Sequence, residues 1–411
     1  MRSERAPYKV GAGHDNLVGM PAIREKSTVA ATEPEGVLWD VIVVGGGPAG
    51  SSAARVAAAN GARVLLIDRA SFPRYKTCGG GLVGESLALI PDEVLATVEQ
   101  HTTEVRFSRS GKSRVHRVAQ AEFLHLVQRE SFDEALVEAA IRAGVTFAQN
   151  VKLKSIVQPE PGAVSLETSA GQFRTKFLIG ADGTNGRCGP YVGVEAAGID
   201  LALEHEIKTP ASAAQWASSV FLDWGADAGT YAWVFPKRDL LTVGVIQAKG
   251  APERTRDYLE RWTASLGLDA EPIVRTTGHL TQWRSPHSPL RRGSVVVAGD
   301  AAALLDPFTR EGISFALRSG TWAGEACARE ASGIVGALDE YERRVLLELA
   351  PEIRAGERML RFFERHPNIT HRMLGSAVGS KLFIRVCRGE TSLARILGHR
   401  GVRAALRVFG A

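Results

Sequence analysis

The segment Val41-Ile-Val-Val-Gly-Gly-Gly-Pro-Ala-Gly50 constrains this chain more than any other. An apolar β-branched run that stops on glycines reads as a strand buried in a parallel sheet and delivering a loop to a ligand. Gly45, Gly47 and Gly50 carry the G-x-G-x-x-G spacing. The first glycine permits a tight turn, the second lets backbone approach a pyrophosphate, and the third brings the next helix close to the strand. Ala49, inside the same turn, joins them as a cofactor-binding position. The Ala-rich stretch Ser51 to Asn60 predicts a helix ending at Gly61, its N-terminus facing the pyrophosphate. A second strand, Arg63-Val-Leu-Leu-Ile67, ends in Asp68 with Arg69 beside it, about twenty residues past the glycines, where a carboxylate accepts the ribose hydroxyls of an adenosine.

Two later segments repeat the pattern of a β-branched run ending in glycine beside aspartate: Leu178-Ile-Gly-Ala-Asp-Gly-Thr-Asn185 and Val295-Val-Val-Ala-Gly-Asp-Ala-Ala302. With the first fingerprint they resemble the p-hydroxybenzoate-hydroxylase-like class of FAD enzymes, whose "DG" and "GD" motifs match Asp182-Gly183 and Gly299-Asp300. The resemblance implies FAD as cofactor, with Asp300 on the ribityl chain. It further implies that Asp306-Pro-Phe-Thr-Arg-Glu-Gly-Ile313 lies beside the isoalloxazine, with Pro307, Gly312 and Ile313 as contacts, and that Arg129 touches FAD. A helix N-terminus there favours negative charge on reduced flavin.

A narrower resemblance, covering about residues 38 to 330, is to the geranylgeranyl reductase family. It rests on Phe72-Pro-Arg-Tyr-Lys-Thr-Cys-Gly-Gly-Gly-Leu82 and on the Y-x-W-x-F-P motif Tyr231-Ala-Trp-Val-Phe-Pro236. Arg310 departs from it, standing where many relatives carry Gly. The family reduces carbon-carbon double bonds in polyprenyl chains. The residues themselves leave two readings open at each motif. Tyr231, Trp233 and Phe235 alternate, so in a strand they form one aromatic face, either wall of a slot or sheet core, and Pro236 ends the ladder. Cys78, followed by Gly79 and Gly80, is by its residues alone either a proton donor or a small buried hydrophobe; the resemblance makes Cys78 the expected catalytic residue, with Gly79, Gly80, Tyr231, Trp233, Phe235 and Pro236 as substrate contacts.

The expected architecture is a mixed α/β fold: a Rossmann-like FAD-binding domain, an inserted antiparallel-sheet substrate domain and a helical C-terminal region. The FAD-binding pieces are residues 37–78, 120–190 and 290–330; residues 79–119 and 191–289 form the substrate domain. Strands are expected at Glu104–Ser108, Trp216–Asp223 and Leu240–Ile246. Gly320 is expected to start a helical region, comprising residues 331–411 at its end, that is interrupted at Pro351 and Pro367. Residues 1–36 lack periodicity and read as a flexible extension without a signal peptide.

The 411 residues, 45% of them hydrophobic, suffice for a large core, and no run of about eighteen apolar residues predicts a membrane span. Cys78, Cys188, Cys327 and Cys387 show neither C-x-x-C nor Cys/His ligand spacing, so no disulfide framework and no metal site are indicated. A reducing, cytoplasmic compartment follows. The tail sets Lys381, Arg385, Arg388, Arg395, Arg400, Arg403 and Arg407 against Glu390 and interleaves them with Leu382, Phe383, Ile396, Leu397, Leu406 and Phe409. It reads either as a helical cap or as a basic amphipathic surface docking on the inner face of a membrane. A net charge of +5 is too mild for nucleic-acid binding.

The resulting expectation is an FAD-dependent reductase of polyprenyl double bonds, drawing electrons from NAD(P)H or a ferredoxin. The alternatives are an FAD-dependent monooxygenase of an apolar or aromatic substrate and a non-catalytic prenyl-lipid-binding flavoprotein. A flavin halogenase is disfavoured, because its W-x-W-x-I-P signature is absent.

Overall fold

In a computed structural model the described residues are 37–402, except 161–162, 211–215 and 226. The expected N-terminal extension lies outside them, as do Arg403, Leu406, Arg407 and Phe409. The fingerprint strand Leu38–Val44 runs parallel to Val64–Ile67 on one side and to Gly171–Gly180 on the other. Thr146–Ala148 and Val295–Val297 extend this parallel sheet outward, so the strand ends after Val44, Ile67, Gly180 and Val297 open along one edge. All three glycine motifs therefore converge on that edge, the ligand-binding edge of open parallel sheets. Antiparallel strands Leu153–Glu160 and Ala163–Thr168 pair onto Gly171–Gly180.

Two helices lie unusually close beside this sheet. Pro48–Ala59 buries Ala49, Ala53, Ala54 and Ala57, and it meets Ile313–Ala331 at glycines. A Cβ at Gly320 would stand 2.1 Å from the Ala49 carbonyl oxygen, and one at Gly324 would stand 2.2 Å from that of Ala53. Gly320 thus lies inside a helix that begins at Ile313, rather than starting one; its missing side chain serves the helix contact. The helical region does break at Pro351 and Pro367, which sit in the first turns of Ala350–Arg365 and Pro367–Gly375, where the missing N–H has no intrahelical partner to lose.

The second sheet has seven strands in the order Ile273–Arg284, Ala196–Lys208, Leu240–Ala248, Tyr231–Pro236, Ser219–Trp224, Glu104–Arg109 and Lys112–Val118. Its neighbours are antiparallel except Ser219–Trp224 and Glu104–Arg109, which run parallel. A fully antiparallel sheet was expected; the long excursion between these two strands in sequence permits the parallel pairing. The outer face, with Val234, Val243 and Phe221, packs on helix Pro252–Ser265 through Leu259 and Trp262. The inner face packs against C-terminal helices through Met359, Leu360, Phe362 and Phe363. A short sheet of Gly81–Leu82, Leu124–Val127 and Val98–Thr102 joins the two halves.

Candidate active site

One cavity of about 1480 Å³ runs from the parallel-sheet edge to the inner face of the second sheet. That volume exceeds the roughly 300–1,000 Å³ usual for a single-ligand pocket, so it has room for a cofactor and a second molecule.

At the fingerprint, Gly45 adopts φ +106°, and a Cβ there would fall 2.2 Å from the Ala181 carbonyl oxygen. Gly50 is closer still, its hypothetical Cβ 1.7 Å from the Gly45 oxygen. Gly47 differs: its only near neighbour is Arg74 Nη2 at 3.5 Å, so it opens onto the cavity. Ala49 lies beside it on the wall. Asp68 is buried at the wall, and its two oxygens accept from Gly46 N at 2.7 Å and Ala70 N at 2.8 Å. This pins the carboxylate while each oxygen keeps a further acceptor direction. Arg69 is exposed at the cavity rim.

Asp182 and Gly183 line the wall as well. Asp182 Oδ2 accepts from Arg187 N at 2.5 Å and Cys188 N at 3.1 Å, whereas its Oδ1 is buried without a hydrogen-bond partner among the described residues. Thr281 Oγ1 is also a wall atom buried without a partner among the described residues. Such orphans are costly unless a ligand satisfies them, and with the open lip at Gly47 they suit a long polar cofactor with hydroxyls along its length. Asp300 stands 3.9 Å from His279 Nε2. Burial resists its ionisation, but the His279 edge and the Lys76 and Arg129 cations prevail and hold its carboxyl below the usual range.

Gly312 and Ile313, at the N-terminus of helix Ile313–Ala331, face the cavity. Three expected contacts, Gly50, Gly299 and Pro307, do not. Gly299, at φ +57°, lies off the wall, where a Cβ would meet Ala49 and Ala316. Pro307 turns away from the cavity wall and packs on Gly356. Glu311, by contrast, reaches the wall and accepts from Ser314 N and Ser314 Oγ at 2.7 and 2.6 Å, and burial pushes its carboxyl up to about 7.

Arg310 occupies a left-handed backbone position at φ +56°, where glycine is the usual occupant. Its guanidinium is tied down at 2.8 Å to buried Asp200 and by bonds to the Phe308 and Gly229 carbonyls, with its charge 5.6 Å from the Tyr231 ring centre. These contacts offset the strain of a side chain at that position.

On the far wall Tyr231, Trp233 and Phe235 do share one face, and all three line the cavity. Pro236 alternates to the other side and lies off the wall. Glycines seat the loop against the aromatics: a Cβ at Gly79 would meet the Phe235 ring at 2.7 Å, and Gly80, at φ +76°, lies against the Val127 carbonyl. Cys78 is half-buried between the cofactor and aromatic sides; its Sγ accepts from Gly80 N at 3.4 Å. Arg129 is buried and makes a bidentate pair with Asp133, both bonds 2.8 Å, while Arg74 also reaches Asp133 at 3.0 Å. Burial works against the Arg129 charge, but Asp133 and then the Cys78 sulfur overcome it and the group stays cationic.

Several wall residues escaped sequence reasoning: Lys76, Glu204 and His279. Glu204 lies in the phase of Asp200, Ala202 and Glu206, which in an isolated strand reads as a solvent face. Here that face is covered, and the acids are buried. A surface cluster of His101, Glu122 and His125 was equally hidden, because His101 and His125 meet only through cross-strand register, 2.8 Å apart at Nδ1.

The C-terminal helices close the apolar end of the cavity. Phe383, Ile384, Leu393 and Leu397 pack into the inner-face cluster, and Phe383 meets Phe107 with ring centres 5.4 Å apart. Arg388 is tied to the Ala121 and Glu122 carbonyls, and Arg385 pairs with Glu390. Among the described residues, the apolar side of the tail is thus largely turned into protein. No described helix is long and apolar enough to cross a membrane.

A family model for the FAD binding domain matches residues 39–346. The chain is 32% identical over 305 residues to geranylgeranyl diphosphate reductase of Rhodobacter capsulatus, covering 70% of this chain and 74% of that protein. It is 28% identical to digeranylgeranylglycerophospholipid reductase 1 of Methanococcoides burtonii, covering 74% of this chain and 79% of the relative. Among solved structures, a geranylgeranyl bacteriochlorophyll reductase-like protein from Thermoplasma acidophilum superposes with TM-score 0.72 at 21% identity, covering 88% of this chain and 98% of its own. The flavin-dependent brominase Bmp2 gives TM-score 0.71 at 19% identity, covering 91% and 99%, which shows a shared fold and nothing finer. The cofactor is FAD, and the chain belongs to the geranylgeranyl reductase family of FAD-dependent oxidoreductases.

Proposed function

We propose that this enzyme saturates carbon-carbon double bonds in a polyprenyl chain. The observation that carries the reading is the continuity of the cavity: the aromatic wall and the cofactor edge enclose a single space. Beyond Trp233 that space is lined by Leu222, Trp224, Phe308, Leu374 and Phe383, a surface suited to an isoprenoid tail. FAD, when reduced, supplies a hydride from its N5. The chain's own residues hold the alkene, exclude water and provide a proton. Relatives named for reducing geranylgeranyl groups support the same assignment.

Electrons come from NAD(P)H or a ferredoxin, and anaerobic flavin reduction by each distinguishes them. The decisive product test is mass spectrometry of prenyl lipid after turnover. The expected gain is two hydrogens per double bond, and a gain of oxygen that requires air would establish the monooxygenase reading instead. Lipid that is bound but never altered by reduced protein would leave a prenyl-binding flavoprotein.

We also place the enzyme at a membrane surface, through the exposed basic groups Lys381, Arg395 and Arg400. At about 1 kcal/mol per basic residue, reversing all three to Glu should release the protein from anionic vesicles in co-sedimentation. Wild-type protein that stays in the supernatant with anionic vesicles makes the tail a cap alone.

A further inference from the structure

We infer that Glu204 is the acid that protonates the alkene carbon opposite the one receiving hydride, an inference that rests on the reductase reading above. An isolated alkene is a poor hydride acceptor, so a proton must arrive as the hydride does. The donor must therefore be a protonated group on the cavity wall beside the aromatic slot.

Glu204 meets each condition. It is 1% exposed, yet it belongs to the wall. Its Oε1 is held by Tyr75 OH at 2.8 Å and Cys78 N at 3.0 Å, while Oε2 is buried with no hydrogen-bond partner among the described residues. The strand register aims it at the slot. Trp233 pairs with Gly244, and Gly244 pairs with Glu204, so the three share one cross-strand row. Gly244 has no side chain to separate the other two: the Trp233 ring lies over it, 2.0 Å from where a Cβ would stand. The indole Nε1 of Trp233 is also buried without a hydrogen-bond partner among the described residues. Glu204 and Trp233 thus each bring an unsatisfied polar atom to the same cavity wall.

The groups facing Glu204 set its protonation. Burial raises its affinity for a proton; Lys237, Tyr75 and the Cys78 amide act the other way, and Glu206 adds to burial. The carboxyl therefore stays protonated above the ordinary glutamate range. Cys78 remains its neighbour rather than its rival, since the Cys78 amide fixes Oε1 and leaves Oε2 to act.

The step balances. Hydride from reduced FAD forms one C–H bond, the alkene π pair takes the Glu204 proton to form the other, and oxidised FAD and a Glu204 carboxylate remain. Tyr75 OH, 2.8 Å from Glu204 and 3.4 Å from Glu206, offers the route by which a solvent proton restores the acid.

Glu204→Gln keeps the shape and an acceptor for Tyr75 and Cys78 but has no proton to give. Its FAD content should match wild type. Infrared spectra of the oxidised holoprotein should show a buried carboxylic-acid band that the variant lacks. In anaerobic single turnover with a geranylgeranyl compound, reoxidation of reduced flavin should slow about 10²- to 10⁴-fold. Wild-type reoxidation should fall as pH rises through the Glu204 pKa, and that limb should vanish in the variant. Glu204→Asp should recover part of the rate. An unchanged rate in Glu204→Gln, or no Glu204-dependent acid band, overturns the inference; a full loss in Cys78→Ala with none in Glu204→Gln assigns the proton to the thiol. Wild-type flavin that no prenyl compound reoxidises refutes the reductase reading instead, a result distinct from a defect confined to the variant.

Discussion

Gly47→Val should give a folded protein that binds flavin about 10²-fold more weakly. Gly47 has φ −79° and ψ −176°, an extended conformation open to any residue, so valine introduces no backbone strain. The nearest obstacle to its Cβ is the end of the Arg74 side chain at 3.5 Å. The branched group then occupies the space that backbone and pyrophosphate must share. A steric block of about 3 kcal/mol weakens binding about 10²-fold. Flavin absorbance per mole of purified protein reads the effect, and circular dichroism checks the fold. Gly50→Val makes the contrast: with the Gly45 oxygen 1.7 Å from the new Cβ, the strand-to-helix turn itself cannot form. Full flavin occupancy in folded Gly47→Val would show that the pyrophosphate lies elsewhere.

Asp133→Ala should be strongly destabilising. The carboxylate is fully buried and receives Arg129 through two bonds while also pairing with Arg74. Its removal strands the Arg129 guanidinium, 8% exposed as a residue, without its counter-charge. Breaking a buried pair in this one-sided way costs about 3–5 kcal/mol. Because Arg129 and Arg74 both line the cavity, FAD retention should fall in parallel. Denaturant unfolding of wild type and variant, each with and without added FAD, separates the two losses. A midpoint within error of wild type would mean that the guanidinium finds solvent or another acceptor.

Sequence legibility followed the range of the interactions concerned. The fingerprint strand, its glycines and Asp68 lie within one βαβ unit, so local spacing carries the geometry. The aromatic strand was readable for the same reason, since alternation alone puts Tyr231, Trp233 and Phe235 on one face. Gly320 misled because its reason for being glycine is Ala49 in another helix. Gly299 and Pro307 belong to motifs whose neighbours touch the cavity, but their own contacts are Ala49, Ala316 and Gly356. Glu204, Lys76 and His279 come together only when the second sheet closes over the cofactor edge. The polar phase of Ala196–Lys208 is a surface until that closure makes it a wall. The Arg310 departure became intelligible in the same way, through Asp200 and the left-handed backbone at that position.

The most direct test of the account is anaerobic. Protein reduced with dithionite, freed of excess reductant and mixed with a geranylgeranyl compound should regain the absorbance of oxidised flavin, with one double bond saturated per flavin. Flavin that stays reduced with every prenyl compound until air is admitted would contradict it.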